Sequence, residues 1–267
     1  MKKLILTAIL SLSGFAVAEP TAYVVYDYTT NKVLDQKNLK QVRPIASITK
    51  LMTAHTFLKL SYIAGENGIC NGIIPSNEPG IPTKTRLPRN VPIPCHQLFH
   101  AMLISSDNYA ATALSRAVSG FSQSDFIYEM NRQANLWGMK DTHFNDVTGL
   151  SNGNVSTVAD LALMSSRIMN DPFSKNIVVH VTSKAGVTLN VNNMQKVSYN
   201  NTNKLIREGT KVLLSKTGTT TAAGHSLLHV QPCRNTGHVL GIISLNNPSS
   251  DARVEFTKNK LFQHLCF

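Results

Sequence analysis

Strand-forming sequence occupies both ends of this chain and helical sequence its middle. Near the start, Ala22-Tyr23-Val24-Val25-Tyr26-Asp27-Tyr28 is rich in β-branched and aromatic residues. Thr29-Thr30-Asn31-Lys32 is a turn candidate and Val33-Leu34 a short returning strand, so the segment reads as a hairpin. Helical patterns cover residues 47–60, with Ile48, Leu51, Met52 and Leu58 as the buried stripe, and then 96–103, 109–118 and 123–136. A further helix runs from Thr157 to about Met169, where Thr157 and Asp160 resemble a capping arrangement. Strand texture returns at 177–182, 186–189, 212–215, 226–230 and 239–245, and a last helix spans 250–265. Strands, then helices, then strands do not alternate as βαβ units do. The pattern predicts an α+β fold in which the terminal segments complete one antiparallel sheet and a helical subdomain packs on it.

Two features qualify that plan. Pro75, Pro79, Pro82, Pro88, Pro92 and Pro94 crowd residues 65–94, which makes that stretch a loop rather than a helix. Four cysteines stand at 70, 95, 233 and 266, and their spacings match neither a zinc ribbon nor a zinc finger. An even count in an exported chain favours disulfides, with three pairings open. Cys70 with Cys95 and Cys233 with Cys266 is preferred, because each pair brackets a local unit. A Cys70–Cys95 bridge would close the proline-rich excursion and stabilise by roughly 3 kcal/mol in the chain-entropy model.

Export is legible in residues 1–18. Lys2 and Lys3 precede an apolar run from Leu4 to Leu12, and Ala16-Val17-Ala18 forms a small-residue cleavage site. The run falls short of the ~20 residues of a membrane span. Residues 19–267 remain as a single domain, large enough for a full core, with a periplasmic destination. The formal charge of the whole chain is +11. Its Lys and Arg residues are scattered, with no helix-turn-helix, finger or aromatic-basic motif, so nucleic acid is a poor partner. Peripheral attraction to a polyanionic envelope is the most that this charge implies.

Three short motifs carry the chemistry: Ser47-Ile48-Thr49-Lys50, Ser106-Asp107-Asn108 and Lys216-Thr217-Gly218-Thr219. Residues three apart on a helix share a face, so Ser47 and Lys50 can meet as nucleophile and base. A lysine needs a pKa below its usual ~10.4 to act as a base. Burial or a second cation supplies this, and Lys216 is the candidate cation. The backbone N–H groups of Ser47 and Thr219 are candidate oxyanion donors. Ser106 is placed to relay a proton to a leaving amine, and the Asn108 amide to hold Lys50 and substrate. Lys216 with the hydroxyls of Thr217 and Thr219 suits a carboxylate, and Gly218 admits a substrate backbone. Taken singly, each motif also describes a cap or a turn: Asp107 or Asn108 as an N-cap, and Lys-Thr-Gly-Thr as a turn.

The three motifs follow in this order, 59 and then 110 residues apart counted from Ser47 to Ser106 to Lys216. So arranged, the chain resembles the penicillin-recognising serine DD-peptidases and β-lactamases. Residues 44–54 are similar to the nucleophile helix of the low-molecular-mass D-alanyl-D-alanine peptidases. Leu136-Trp137-Gly138-Met139-Lys140-Asp141-Thr142-His143-Phe144, Thr148-Gly149-Leu150-Ser151, Asn201-Thr202-Asn203-Lys204-Leu205 and Ala223-Gly224-His225 extend the likeness over most of the chain. The proline-rich loop is the main departure. The resemblance implies a DD-peptidase/β-lactamase-like fold and an acyl-enzyme on Ser47. It also implies peptidoglycan stem peptides as substrates, β-lactams as covalent inhibitors, and no metal or cofactor. Only 48 residues follow Thr219, which points to the compact endopeptidase branch, with terminal D-alanine carboxypeptidase activity as the alternative.

Three rival readings compete with this one. A class A β-lactamase needs a loop glutamate to activate the deacylating water, and Phe144-Asn145-Asp146-Val147-Thr148-Gly149-Leu150 contains none. A non-catalytic wall-binding protein on the same fold would not need all three motifs. His96 and His100 have the spacing of a metal pair, but Gln97 stands where a metallopeptidase places its glutamate. His225 is a candidate to line the cleft.

Overall fold

The computed structural model describes residues 19–66, 70–191 and 195–266, so the expected leader lies outside the described residues. The hairpin β1 (Ala22–Asp27) and β2 (Lys32–Lys37) opens the fold. A two-residue strand, β3 (Arg43–Pro44), and a 3-10 turn (Ala46–Ile48) lead into α1 (Thr49–Ile63). The proline-rich segment carries β4 (Asn71–Ile73) and β5 (Pro92–Pro94). Helices α2 (Cys95–Ile104), α3 (Asn108–Ala117) and α4 (Gln123–Trp137) follow. Next come β6 (Val155–Ser156), α5 (Val158–Asn170) and α6 (Lys175–Thr182). A second hairpin, β7 (Gly186–Val191) and β8 (Gln195–Asn200), precedes the short α7 (Lys204–Arg207). Strands β9 (Leu214–Thr220), β10 (Gly224–Pro232) and β11 (Val239–Asn247) and the helix α8 (Ser250–Gln263) close it.

The main sheet runs β2-β1-β11-β10-β9 and is antiparallel throughout. The N-terminal hairpin thus joins the C-terminal strands, with Ala22 opposite Leu245. Successive side chains of a strand point to opposite faces. Ala22, Val24, Ile243 and Leu245 therefore enter the large core shared with the helical subdomain, while Tyr23, Val25, Leu240 and Ile242 meet Phe256 and Leu261 of α8. Burial on both faces explains why β1 reads as an almost unbroken apolar run. Helix α1 is buried round most of its circumference and carries the buried polar residues Lys50, Thr53 and His55 into the centre.

Both preferred disulfides are present, Cys70–Cys95 and Cys233–Cys266. The second ties the end of β10 to the chain just past α8, across 33 residues, a loop worth about 3–4 kcal/mol of denatured-state entropy. Thr157 caps α5 by accepting from the Asp160 N–H, as its spacing suggested.

The structure corrects several expectations. Residues 177–182 belong to α6 rather than to a strand. Their β-branched residues suit either state, but the buried ones, Val178, Val181 and Thr182, stand three and four apart on one helical face. The strand expected at 212–215 begins at Leu214 and runs on to Thr220, so Lys216–Thr219 lies within β9 and is not a turn. Ser47 sits in the 3-10 turn, and the α-helix proper starts at Thr49. The proline-rich loop holds a short antiparallel pair, Asn71 opposite Pro94, beside its disulfide.

Candidate active site

The 3-10 turn, the start of α1, the α2–α3 connection and the edge strand β9 bring the three motifs to one place. Lys50 Nζ donates to Ser47 Oγ (2.9 Å), Asn108 Oδ1 (2.6 Å) and the Thr148 carbonyl (2.6 Å). Lys216 Nζ donates to Ser106 Oγ (2.9 Å) and to the Thr217 carbonyl (3.0 Å). Both lysines are buried, whereas Ser47 and Ser106 are part-exposed and Thr219 is exposed. Two buried amines thus sit behind two hydroxyls that reach solvent.

Local backbone chemistry fixes these positions. Ala46 and Ser106 both have positive φ, 45° and 64°, a cost that non-glycine residues bear where the surrounding fold dictates the backbone. Asp107 caps α3 through the Ala110 N–H (3.0 Å) and turns Asn108 inward. The Asn108 Nδ2 donates to Thr83 Oγ1 (3.0 Å), which leaves its Oδ1 for Lys50. Strand β9 is the sheet's edge, and a Cβ on Gly218 would stand 2.6 Å from the Ile45 carbonyl oxygen and 3.3 Å from the Ser47 nitrogen. Only glycine lets the strand lie so close to the turn that carries Ser47.

The segment 144–154 presses from the other side. Asp146 Oδ1 accepts from the N–H groups of Thr148 and Gly149 (both 2.6 Å), and Oδ2 from that of Ser151 (2.5 Å). Asn154 donates to the Asp146 carbonyl and to Thr49 Oγ1. This network aims the Thr148 carbonyl at Lys50. The Asp146 oxygens are occupied by backbone donors, so this loop carboxylate is structural rather than a base for water.

Electrostatics follow from burial. Desolvation lowers Lys50 to about 7, against the opposing pull of Asp146 and Asp107. Of the two expected causes, burial and a second cation, burial is the one that acts on Lys50, because a fully buried ammonium loses its hydration. Lys216 itself lies well below the usual lysine range, through burial first and then through the charges of Lys50 and Arg253. A neutral Lys50 keeps two N–H donors, which match the Asn108 and Thr148 oxygens, and turns its lone pair to the Ser47 hydroxyl.

Several contributors escaped the sequence reading. Arg253 of α8 reaches back to the Gly218 carbonyl and to Thr219 Oγ1, both at 3.2 Å. The Thr217 hydroxyl, expected on a ligand, donates to Thr202 Oγ1 (2.6 Å). Beneath β9, Asn203 Nδ2 donates to Ser215 Oγ (2.8 Å) and lies 3.1 Å from the buried His229 Nδ1. His225 Nδ1 lies 3.3 Å from Thr219 Oγ1 and 3.1 Å from Ser250 Oγ, beside the end of β9. His100 Nδ1 lies 2.7 Å from the His96 carbonyl, one helical turn away. No spacing rule links Arg253 to Thr219 across 34 residues; only α8 folding back over the sheet does so.

The family of D-alanyl-D-alanine carboxypeptidases, peptidase S11, matches residues 16–243. A D-alanyl-D-alanine endopeptidase of Haemophilus influenzae is 40% identical over 262 residues, covering 97% of this chain and 86% of that protein. The Escherichia coli protein of the same description is 34% identical over 213 residues, 79% of this chain and 66% of that one. Among solved structures, penicillin-binding protein D2 of Listeria monocytogenes, in its cefotaxime-bound form, superposes with a TM-score of 0.77 at 28% identity, covering 94% of this chain and 98% of that one.

Proposed function

The chain belongs to the D-alanyl-D-alanine carboxypeptidase family, and from that premise we propose that it is a periplasmic serine DD-peptidase that cuts D-alanyl cross-links in peptidoglycan. The observation that carries the reading is the buried Lys50 amine, 2.9 Å from a part-exposed Ser47 hydroxyl and lowered to about 7.

In this reading Ser47 Oγ attacks the carbonyl carbon of the D-alanine, and its proton passes to Lys50 Nζ. The carbonyl's electron pair forms an oxyanion facing the Ser47 and Thr219 N–H groups. As the C–N bond breaks, Ser106 gives its proton to the departing amine and is reprotonated through Lys216, 2.9 Å away; the proton that Lys50 took from Ser47 is passed on to replace the one Lys216 gave, so both lysines regain their starting states as the amine leaves. Asn108 holds Lys50 and the substrate amide. Lys216 and Thr219, backed by Arg253, hold the carboxylate beside the scissile bond, and that carboxylate restores the charge on Lys216. Thr217 and Gly218 shape the strand on which the substrate lies. Water then hydrolyses the acyl ester, with Lys50 taking its proton and Ser47 regaining its own. No loop glutamate activates that water, and Asp146 is fully engaged, so a penicilloyl ester on Ser47 is long-lived.

The preference for a cross-link over a terminal D-alanine rests on the likeness to the two endopeptidases. The clamp also fits a carboxypeptidase, because both leaving groups carry a carboxylate beside the amine. A fluorescent penicillin should label the wild type and not Ser47→Ala, and the species labelled in a periplasmic extract should begin at Glu19. Absence of wild-type labelling would sink the proposal. Mass spectrometry of digested muropeptides should show cross-linked dimers falling to monomers faster than pentapeptides are trimmed.

A further inference from the structure

The proline-rich loop, the main departure from the family pattern, is built onto the second motif. Thr83 Oγ1 receives the Asn108 amide (3.0 Å), and Thr85 Oγ1 donates to Asp107 Oδ2 (2.7 Å). Glu78 makes a two-point ion pair with Arg116 of α3, and Arg89 lies over the Tyr109 ring at 4.5 Å. With Cys70–Cys95 at its base, the loop is a fixed wall.

Between this wall and the motif lies a cleft of about 370 Å³, and Lys84, Arg86, Ser106, Tyr199 and Thr202 are among its lining residues. Its charges are uncompensated. Among the described residues Lys84 has no hydrogen-bond or ion-pair partner. Arg86 donates through Nη1 to the Ser198 carbonyl (2.9 Å) and lies 5.9 Å from the centre of the Tyr199 ring. The carboxylate in the wall, Asp107, is buried and already accepts from the Ala110 N–H, Thr85 and Tyr199. The cleft also has a definite side. Ser106 accepts from Lys216, and Thr202 accepts from Thr217 of β9, so it opens where the leaving amine and its carboxylate stand.

We propose that this cleft is a subsite for the departing peptide strand, and that Lys84 and Arg86 bind a second carboxylate on it. This deepens the DD-peptidase reading and rests on it. A terminal D-alanine has one carboxylate, which the β9 clamp takes, and nothing further to reach the cleft. The amine released from a cross-link belongs to a whole acidic stem peptide. The cleft therefore favours cross-linked over terminal substrates.

The test compares one cross-linked muropeptide dimer with a pentapeptide monomer. Lys84→Glu/Arg86→Glu should lower the ratio of endopeptidase to carboxypeptidase kcat/KM by about ten-fold or more, mainly through KM. Lys84→Arg in the Arg86 background should keep the ratio. A second measurement needs no variant: amidating the carboxylates of the departing strand other than the one beside the scissile bond, which the β9 clamp takes, should slow wild-type cleavage of the dimer by a similar factor. An unchanged ratio together with equal rates for free and amidated dimers overturns the subsite. That outcome leaves the DD-peptidase reading standing as long as penicillin still labels Ser47; loss of wild-type labelling overturns the reading instead.

Discussion

Replacing Lys50 by methionine is expected to lower the rate of penicillin acylation by about 10²–10⁴-fold, the usual worth of a positioned general base. The wild-type rate should depend on pH in a definite direction. Burial lowers the lysine to about 7, and below that value the amine is protonated and has no lone pair for the Ser47 proton. Acylation should therefore rise with pH through about 7 and then level off. Stopped-flow measurement with a chromogenic cephalosporin would show it; a profile flat over about two units around that pH would rule out Lys50 as the base. The same shift has a consequence for stability. Between about 7 and the ~10.4 of an unfolded lysine, the unfolded chain binds more protons. This group's contribution to stability therefore rises with pH across that window, and Lys50→Met should remove that dependence.

Gly149→Ala is expected to damage both fold and reaction although the glycine carries no functional group. Its φ is +84°, and an added Cβ would stand 1.9 Å from the Ala46 carbonyl oxygen and 2.8 Å from the Ser47 nitrogen. These are backbone atoms of the turn that carries Ser47, the proposed nucleophile, so relief requires moving that turn. Strain of this kind costs about 2–4 kcal/mol, read as a Tm lower by roughly 5–10 °C. A displacement near 1 Å at a reacting group costs about 10²-fold in rate, so penicillin labelling should slow by at least that factor. Gly120→Ala is the matched control. Gly120 also has positive φ, +79°, with nothing within 4 Å of the added Cβ; the variant should lose some stability and keep its labelling rate. Equal labelling by Gly149→Ala and wild type would show that the 144–154 segment does not hold the nucleophile turn.

The parts legible in sequence are those whose reasons are local. Ser47 and Lys50 face one another because they are one helical turn apart, and Asp107 caps α3 because its side chain lies next to the orphan N–H groups. The N-terminal hairpin and helices α2 to α5 showed through periodicity and caps. The errors also have local causes. The valines of α6 suit strand and helix equally. Lys-Thr-Gly-Thr reads as a turn because its extended form depends on pairing with β10, in which Gly218 sits opposite Ser226. The strand β8 does alternate, with Val197 and Tyr199 buried between exposed Lys196, Ser198 and Asn200, and so was legible beside its partner β7.

The sequence alone thus determined the three motifs, their order and the α+β class, because residue type and short spacing are enough for each, and it left three cysteine pairings open with one preferred. Tertiary structure alone decided how those groups are tuned and walled in. Lys50 is lowered by enclosure among α1, α3 and the 144–154 segment. Arg253 reaches Thr219 only because α8 folds back across the sheet. The proline-rich loop, which reads as an interruption, lies against Asn108 through Thr83 and frames a basic cleft beside Ser106. Burial and long-range approach are properties of the closed core, and no window of sequence contains them.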